Sequence, residues 1–350
     1  MKKRRHVTLL AALLAISGAS NAWAQSNVSV YGILDASVET LSFNGAPGAP
    51  SSRLTALASD TSRLGLRGSE DLGDGLKAYF KIEHGLQLDT GAQTSPSAFW
   101  NREAYVGLSG EKLGFVQLGS QFAPALWMSL KVDPFTRFGV GGQYTLLQGL
   151  RGYQWRVDNA LQYITPTIAG VSARLLAAPG EGSETGATYA GQLEYSQGPL
   201  YVGVVVDQVK AAAATVGLSG TPMRSRTVSL AATYDFGLVK LRGWAQTNRI
   251  DGLASVDGYL VGVTVPIGTG EIKASYADRR AGLSSARLAA VGYQHSLSKR
   301  TQLYANVGRL INDIAASFRM GPAVNEQAAI GRPAAGQDTV GTQVGIRHFF

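Results

Sequence analysis

The sequence predicts an all-β chain closed into a transmembrane antiparallel β-barrel of 16 strands. Three observations carry this. Apolar and polar residues alternate with a period of two from end to end, as they do when successive side chains leave a pleated backbone on opposite sides. The segments are joined by connections that are alternately short and long. No apolar stretch after residue 24 approaches the ~20 residues a spanning helix needs, and the mean hydropathy of +0.02 is what alternating segments average to.

Lys2, Lys3, Arg4 and Arg5, the apolar run 7–16 and Ala22-Trp23-Ala24 have the form of a secretory leader. We expect 1–24 to be removed during export through the inner membrane, leaving 350 − 24 = 326 residues. The lost cations lower the formal charge from +8 to 8 − 4 = +4, too mild and too dispersed for a nucleic-acid binder. With no cysteine there is no disulfide framework and no thiolate metal site.

The first strand is expected at 27–39, with Val28, Val30, Leu34 and Val38 on one face and Ser29, Tyr31, Asp35 and Glu39 on the other. A long polar connection, 40–57, follows. The stretch 61–83 is then a hairpin. Leu64 and Leu66 oppose Arg63, Arg67 and Ser69; Leu76, Ala78, Phe80 and Ile82 oppose Lys77, Tyr79, Lys81 and Glu83. Gly73, Asp74 and Gly75 supply the small residues of the turn. The greasy face would be the core of a soluble sandwich or would meet lipid in a barrel, with the charged face lining water.

Further strands are expected at 99–109 and 114–121, then at 158–166, 169–178, 187–197, 199–209, 224–236, 238–250, 255–266, 270–280, 285–297, 300–312 and 337–350. Short turns at 73–75, 198–199, 236–237, 266–270 and 298–300 contrast with long connections at 40–57, 89–98, 210–223 and 313–336. An even count with this rhythm is that of an outer-membrane barrel, and closure leaves no unpaired backbone in hydrocarbon.

The stretch 121–157 breaks the rhythm. Trp127, Phe135, Phe138, Tyr144, Tyr153 and Trp155 make it too apolar for a solvated loop. Asp133 is its one acid, against Lys131, Arg137, Arg151 and Arg156.

Several strings in order resemble the general diffusion porins of β-proteobacteria, the neisserial and Burkholderia type. They are Val30-Tyr31-Gly32-Ile33-Leu34-Asp35, Ser62-Arg63-Leu64-Gly65-Leu66-Arg67-Gly68-Ser69-Glu70-Asp71-Leu72-Gly73, Asn101-Arg102-Glu103-Ala104-Tyr105-Val106-Gly107-Leu108, Leu297-Ser298-Lys299-Arg300-Thr301 and the ending Gly345-Ile346-Arg347-His348-Phe349-Phe350. The resemblance implies a homotrimeric, water-filled barrel in the bacterial outer membrane, in contact with its lipid and lipopolysaccharide. It implies that the third long loop folds into the lumen, that Arg63, Arg102 and Arg156 form a basic cluster at the constriction, and that Phe350 belongs to the signal read by the barrel-assembly machinery. Where relatives often carry Gly-Arg-Gln leaving the strand, this chain has Gly119-Ser120-Gln121, one cation fewer.

The expected constriction set is thus Arg63, Lys81, Glu83, Arg102, Asp133 and Arg156, with Arg67 and Lys77 as secondary lumen charges. Strict alternation, however, turns Arg102 towards lipid with Ala104 and Val106. The expected function is passive diffusion of small hydrophilic solutes and ions, with a preference for anions. The alternative is a channel selective for sugars or for aromatic or organic acids, using Trp127, Tyr144, Tyr153 and Trp155. An enzyme is not expected: His84, His295 and His348 lie at no metal-ligand spacing, and no G-x-S-x-G or P-loop motif occurs. No cofactor, metal or nucleic-acid partner is expected.

Overall fold

The computed structural model describes residues 27–45, 48, 50–137, 139–149, 151–181, 186–211, 222–320 and 333–350. The expected leader, 1–24, lies outside the described residues. Among the described residues seventeen strands follow one another: β1 (Asn27–Asn44), β2 (Ser52–Ala58), β3 (Arg63–Gly73), β4 (Leu76–Gly85), β5 (Glu103–Gly110), β6 (Gly114–Phe122), β7 (Arg156–Ile164), β8 (Val171–Ala178), β9 (Thr188–Gln197), β10 (Leu200–Ala211), β11 (Met223–Asp235), β12 (Lys240–Ile250), β13 (Val256–Ile267), β14 (Gly270–Arg280), β15 (Ala286–Ser296), β16 (Thr301–Asn312) and β17 (Asp338–Phe349). Between β6 and β7 stand two helices, α1 (Pro124–Val132) and α2 (Tyr144–Leu147).

From β3 to β17 each strand pairs antiparallel with the next, and β1 closes the ring against β17, from Ile33↔Phe349 to Asn44↔Asp338. β2 and β3 lie end to end along β1, so together they make one stave (Ser37↔Ala58, Ile33↔Arg63). With that pair counted as one, the seventeen strands form 16 staves, a closed antiparallel barrel as expected.

Between β2 and β3 the ladder is broken at 59–62, where Thr61 takes a φ of 61°. The Ser62 hydroxyl stands in for the missing backbone partner, donating to the Asp35 carbonyl at 3.0 Å and accepting from the Asp35 amide at 2.9 Å. The expected loop 40–57 is largely strand instead. β1 runs on to Asn44, and β2 answers it with Leu54 opposite Leu41 and a Thr40–Thr55 hydroxyl contact of 3.0 Å. Small polar residues hid an alternation that its partner strand enforces.

The two faces are sorted in the reverse of a water-soluble fold. Val28, Val30, Val106, Leu118, Leu193, Val261, Val291 and Val344 are exposed. Asp35, Glu39, Gln121, Gln162, Ser229, Asn248 and Gln343 are buried. An apolar outer surface with a polar interior is what a barrel wall in hydrocarbon requires. Outward aromatics mark both rims: Phe115, Tyr234, Phe236 and Tyr293 near the short turns, Tyr189 and Tyr259 near the long connections. Val261→Arg, at the middle of β13, is expected to destabilise the barrel by about 2–4 kcal/mol in lipid, read as an earlier midpoint of urea unfolding from vesicles.

The 121–157 segment packs on the polar face of the wall. Pro134 sits where a side chain on Gly262 would stand, Phe135 likewise at Gly292, and Val140 at Gly308 and Gly341. Wall side chains satisfy its backbone. Gln246 Nε2 donates to the Leu147 carbonyl at 2.8 Å, Thr227 Oγ1 to Gly152 at 2.7 Å, and Arg279 to Leu146 and Arg151 at 3.2 and 3.1 Å. Absent side chains on β13, β15, β16 and β17 make the room, and amide and hydroxyl donors hold what fills it.

The chain's last residue seals the seam. Phe350 exchanges backbone hydrogen bonds with Gly32, at 3.1 and 3.2 Å, and its ring covers that glycine.

Candidate functional site

Cross-strand register brings the charges together. Gly65 of β3, Glu83 of β4 and Glu103 of β5 form one row; Arg67, Lys81 and Tyr105 form the next. Because Gly65 has no side chain, the Tyr31 ring lies across it, and the Tyr31 hydroxyl donates to Glu83 Oε2 at 2.9 Å. Glu83 is the hub. Its Oε1 accepts from Arg102 Nε at 2.6 Å, while Arg63 Nε and Lys81 Nζ stand 3.5 and 3.7 Å from Oε2. Lys81 is also hydrogen-bonded to Glu103.

Arg102 does not face lipid. The strand begins at Glu103, not at 99, so the alternation does not extend back to Arg102. Asn101 accepts from the Gly85 amide at 2.9 Å, and the Arg102 amide donates to the Glu83 carbonyl at 3.1 Å. This anchored approach turns the guanidinium inward, where it is 9% exposed. The Phe122 ring lies between Arg102 and Arg156, at 5.6 and 5.7 Å from their guanidinium carbons, and Arg156 also stacks on Trp155 at 4.4 Å.

A cavity of about 350 Å³ opens between this cluster and the 121–157 segment. Arg63, Lys81, Glu83, Arg102 and Arg347 line one side; Leu126, Trp127, Leu130, Arg137 and Trp155 belong to the segment. Arg63, Lys81, Glu83 and Arg102 thus meet in one space, with Arg156 at its edge. Arg67 lies outside it, stacked over Tyr31 at 5.1 Å. Lys77 is exposed near the turn, opposite Asp71 and Ser109. Phe138 lies outside the described residues.

Asp133 is not in this space. It is 1% exposed, and its two oxygens accept from the backbone amides of Phe135 and Gln143 at 2.8 and 3.2 Å. It pins the turn after α1, and burial raises its carboxyl above the usual carboxylate range. Arg137 is equally buried, its Nε donating to the Tyr153 hydroxyl at 2.9 Å. Ser120 donates to Asp158 at 2.5 Å beside an irregularity between Gly119 and Gln121, where Gly119 takes a φ of 137°.

Glu103 and Arg347 were not singled out by sequence. Both were within reach of the alternation. Glu103 shares the face of Tyr105, and Arg347 opposes the exposed Val344 and Ile346. Arg347 is held by Asp35, which also accepts from the Tyr304 hydroxyl at 2.5 Å. Among the described residues no group of three or more His, Asp or Glu is arranged to hold a metal ion.

A closed barrel with an apolar exterior, a polar interior and a cation-lined internal space defines an outer-membrane channel. Comparison with known proteins gives the family. The model for Gram-negative porins matches residues 9–315. The chain is 35% identical to outer membrane porin protein 32 of Delftia acidovorans over 97% of its own length and 98% of that protein's. It is 32% identical to an outer membrane porin protein of Bordetella pertussis, covering 75% and 74% of the two chains. Among solved structures, an anion-selective porin from Comamonas acidovorans superposes with a TM-score of 0.80 at 32% identity, over 93% of this chain and 100% of that one. The chain belongs to the Gram-negative porin family and is an outer-membrane porin, a passive channel and not an enzyme.

Proposed function

We propose that this porin passes small hydrophilic solutes and ions by diffusion with a preference for anions, and that 121–157 sets the bore. The observation that carries this is the lining of the 350 Å³ cavity, which holds five cations, Arg63, Lys81, Arg102, Arg137 and Arg347, against the single carboxylate of Glu83. Fixed cations in a narrow passage with low-dielectric walls concentrate anions, because field lines are focused there and screened less than in bulk. The anion selectivity stated for the Comamonas structure supports the same reading. Arg63, Lys81, Glu83, Arg102 and Arg156 are the constriction; Arg67 and Lys77 are lumen-wall charges, and Asp133 acts through the shape of the loop. The test is the reversal potential of single channels in a salt gradient, and a potential of cation-selective sign overturns the reading.

The proposal extends to a cleaved leader at 1–24, to a homotrimer, and to Phe350 as part of the signal read by the assembly machinery. The bore-setting role has its own test. Gly308→Val brings a Cβ to 2.5 Å from the Val140 carbonyl oxygen, a backbone atom with no rotamer to escape into. The variant is expected to lift 139–143 off the wall and change single-channel conductance by more than a quarter, while Gly243→Val, which meets nothing within 4 Å, leaves it unchanged. Equal conductance in both variants would show that this segment does not set the bore.

A second reading has a specific observation behind it. Leu126, Trp127, Leu130 and Trp155 give the cavity an apolar wall facing the cations, and its volume lies at the small end of ligand pockets, about 300–1,000 Å³. Saturable block of the current by benzoate, with none by acetate at the same concentration, would establish selectivity for aromatic acids over simple diffusion.

A further inference from the structure

The outer face carries a second cluster of cations, away from the passage. Lys210 on β10, Arg224 and Arg226 on β11 and Arg249 on β12 are all exposed. Alternation puts them on the lipid side, the side of Val206, Leu230 and Leu241. Register makes them neighbours: Lys210 is opposite Arg224, and Arg226 is opposite Arg249. Residues directly opposite on one face of an antiparallel pair stand about 5 Å apart at Cβ, where like charges repel.

None of the four takes part in an ion pair among the described residues, although Asp251 stands nearby, its amide 3.4 Å from the Arg224 carbonyl. The nearby outward arginines differ: Arg280 is paired with Asp278 at 2.8 Å, Arg287 with Asp313 at 3.1 Å and Arg309 with Asp338 at 3.3 Å. Asp257, diagonal to Arg249, lies opposite Arg280. The connection 212–222, which joins the two strands bearing Lys210 and Arg224, contains no acidic residue in its sequence.

Height in the membrane completes the case. Tyr189, Gln208, Arg226 and Arg249 form one continuous cross-strand row. Two residues further into the strands come Val206 and Val228, the start of the apolar band. Tyrosine at such a boundary marks the interface between hydrocarbon and headgroups. The end of the barrel concerned is the one with long connections, which in this class faces outward. Four cations without an ion-pair partner among the described residues therefore sit at headgroup level of the outer leaflet.

We propose that Lys210, Arg224, Arg226 and Arg249 form a binding site for the phosphate groups of an outer-leaflet lipid. A phosphate between the two opposed pairs would turn two repulsive contacts into charge-assisted hydrogen bonds, and guanidinium groups present the paired donors that phosphate accepts.

The experiment uses the full-length porin in vesicles of neutral phospholipid doped with bis-phosphorylated lipid A, with dephosphorylated lipid A, or with neither, and inorganic phosphate as a fourth condition. The bis-phosphorylated lipid is expected to raise the unfolding temperature of the wild type and to remain bound through detergent extraction in about one copy per chain by native mass spectrometry. Arg224→Gln/Arg226→Gln/Arg249→Gln is expected to lose at least tenfold in that retention. Arg280→Gln and Arg309→Gln, in the paired set, retain it. Equal retention in the triple variant and wild type, or equal retention of dephosphorylated lipid, overturns the site. A rise in unfolding temperature with inorganic phosphate alone would mean a free anion and not a lipid is bound, which also overturns it. The triple variant keeps the wild-type reversal potential, so the result is independent of the assignment of the passage.

Discussion

Replacing Arg63, Arg102 and Arg156 by Ser, one after another, is expected to lower the anion-to-cation permeability ratio in steps of about tenfold. A unit charge about 6 Å from a passing ion favours an anion by roughly 0.7 kcal/mol and disfavours a cation by as much at the dielectric of bulk water, so the ratio moves by about 1.4 kcal/mol, which is tenfold. The poorly screening walls of the passage act to enlarge each step. The three side chains converge on one place, Arg63 and Arg102 through Glu83 and Arg102 and Arg156 through the Phe122 ring. Salt supplies an internal check, because the screening length falls from about 10 Å at 0.1 M to about 3 Å at 1 M. The ratio should therefore fall with salt in the wild type and hardly change with salt in the triple variant. An unchanged reversal potential in the triple variant would show that these cations line the wall without steering ions.

What could be read from the chain, and what could not, follows from the range of the forces involved. The stave count and the sorting of faces were legible because period-two alternation is local; Leu64 against Arg63 is settled by two adjacent residues. The same rule misplaced Arg102, because it assumes the strand continues. Where β5 begins is decided by Asn101 and its bond to the Gly85 amide, 16 residues away in sequence. β2 was missed for the same reason, its pairing with β1 being imposed by register and not by its own pattern. Sequence alone puts Asp133 in the passage because it is the lone acid in a basic loop. Its carboxylate is spent on two backbone amides of that loop, which composition does not reveal. Arg347 and Glu103 lay on predictable faces, but only the closed ring brings Arg347, near the chain's end, into the same space as Arg63.

Glu83→Gln is the variant in which stability and selectivity should move in opposite directions. In the native chain one carboxylate, 2% exposed, serves Arg102, Arg63, Lys81 and the Tyr31 hydroxyl. Removing its charge leaves like-charged groups facing one another in a partly desolvated space. Breaking a fully buried ion pair costs about 3–5 kcal/mol. Here the Arg63 and Lys81 side chains are 25% and 20% exposed and can regain water, so about 2 kcal/mol is a better expectation. It should appear as a lower temperature for loss of the folded, heat-modifiable form on electrophoresis. At the same time the net charge of the passage rises by one, and the anion-to-cation ratio should rise by about tenfold by the same Coulomb argument. Shape and charge are separated by the double variant Arg63→Ser/Glu83→Gln, which restores the native net charge with two altered side chains. Its permeability ratio should return to near the wild-type value. If the ratio instead follows the Glu83→Gln single variant, the Arg63 charge does not reach the permeating ion, and the constriction is set by Arg102 and Lys81 without it.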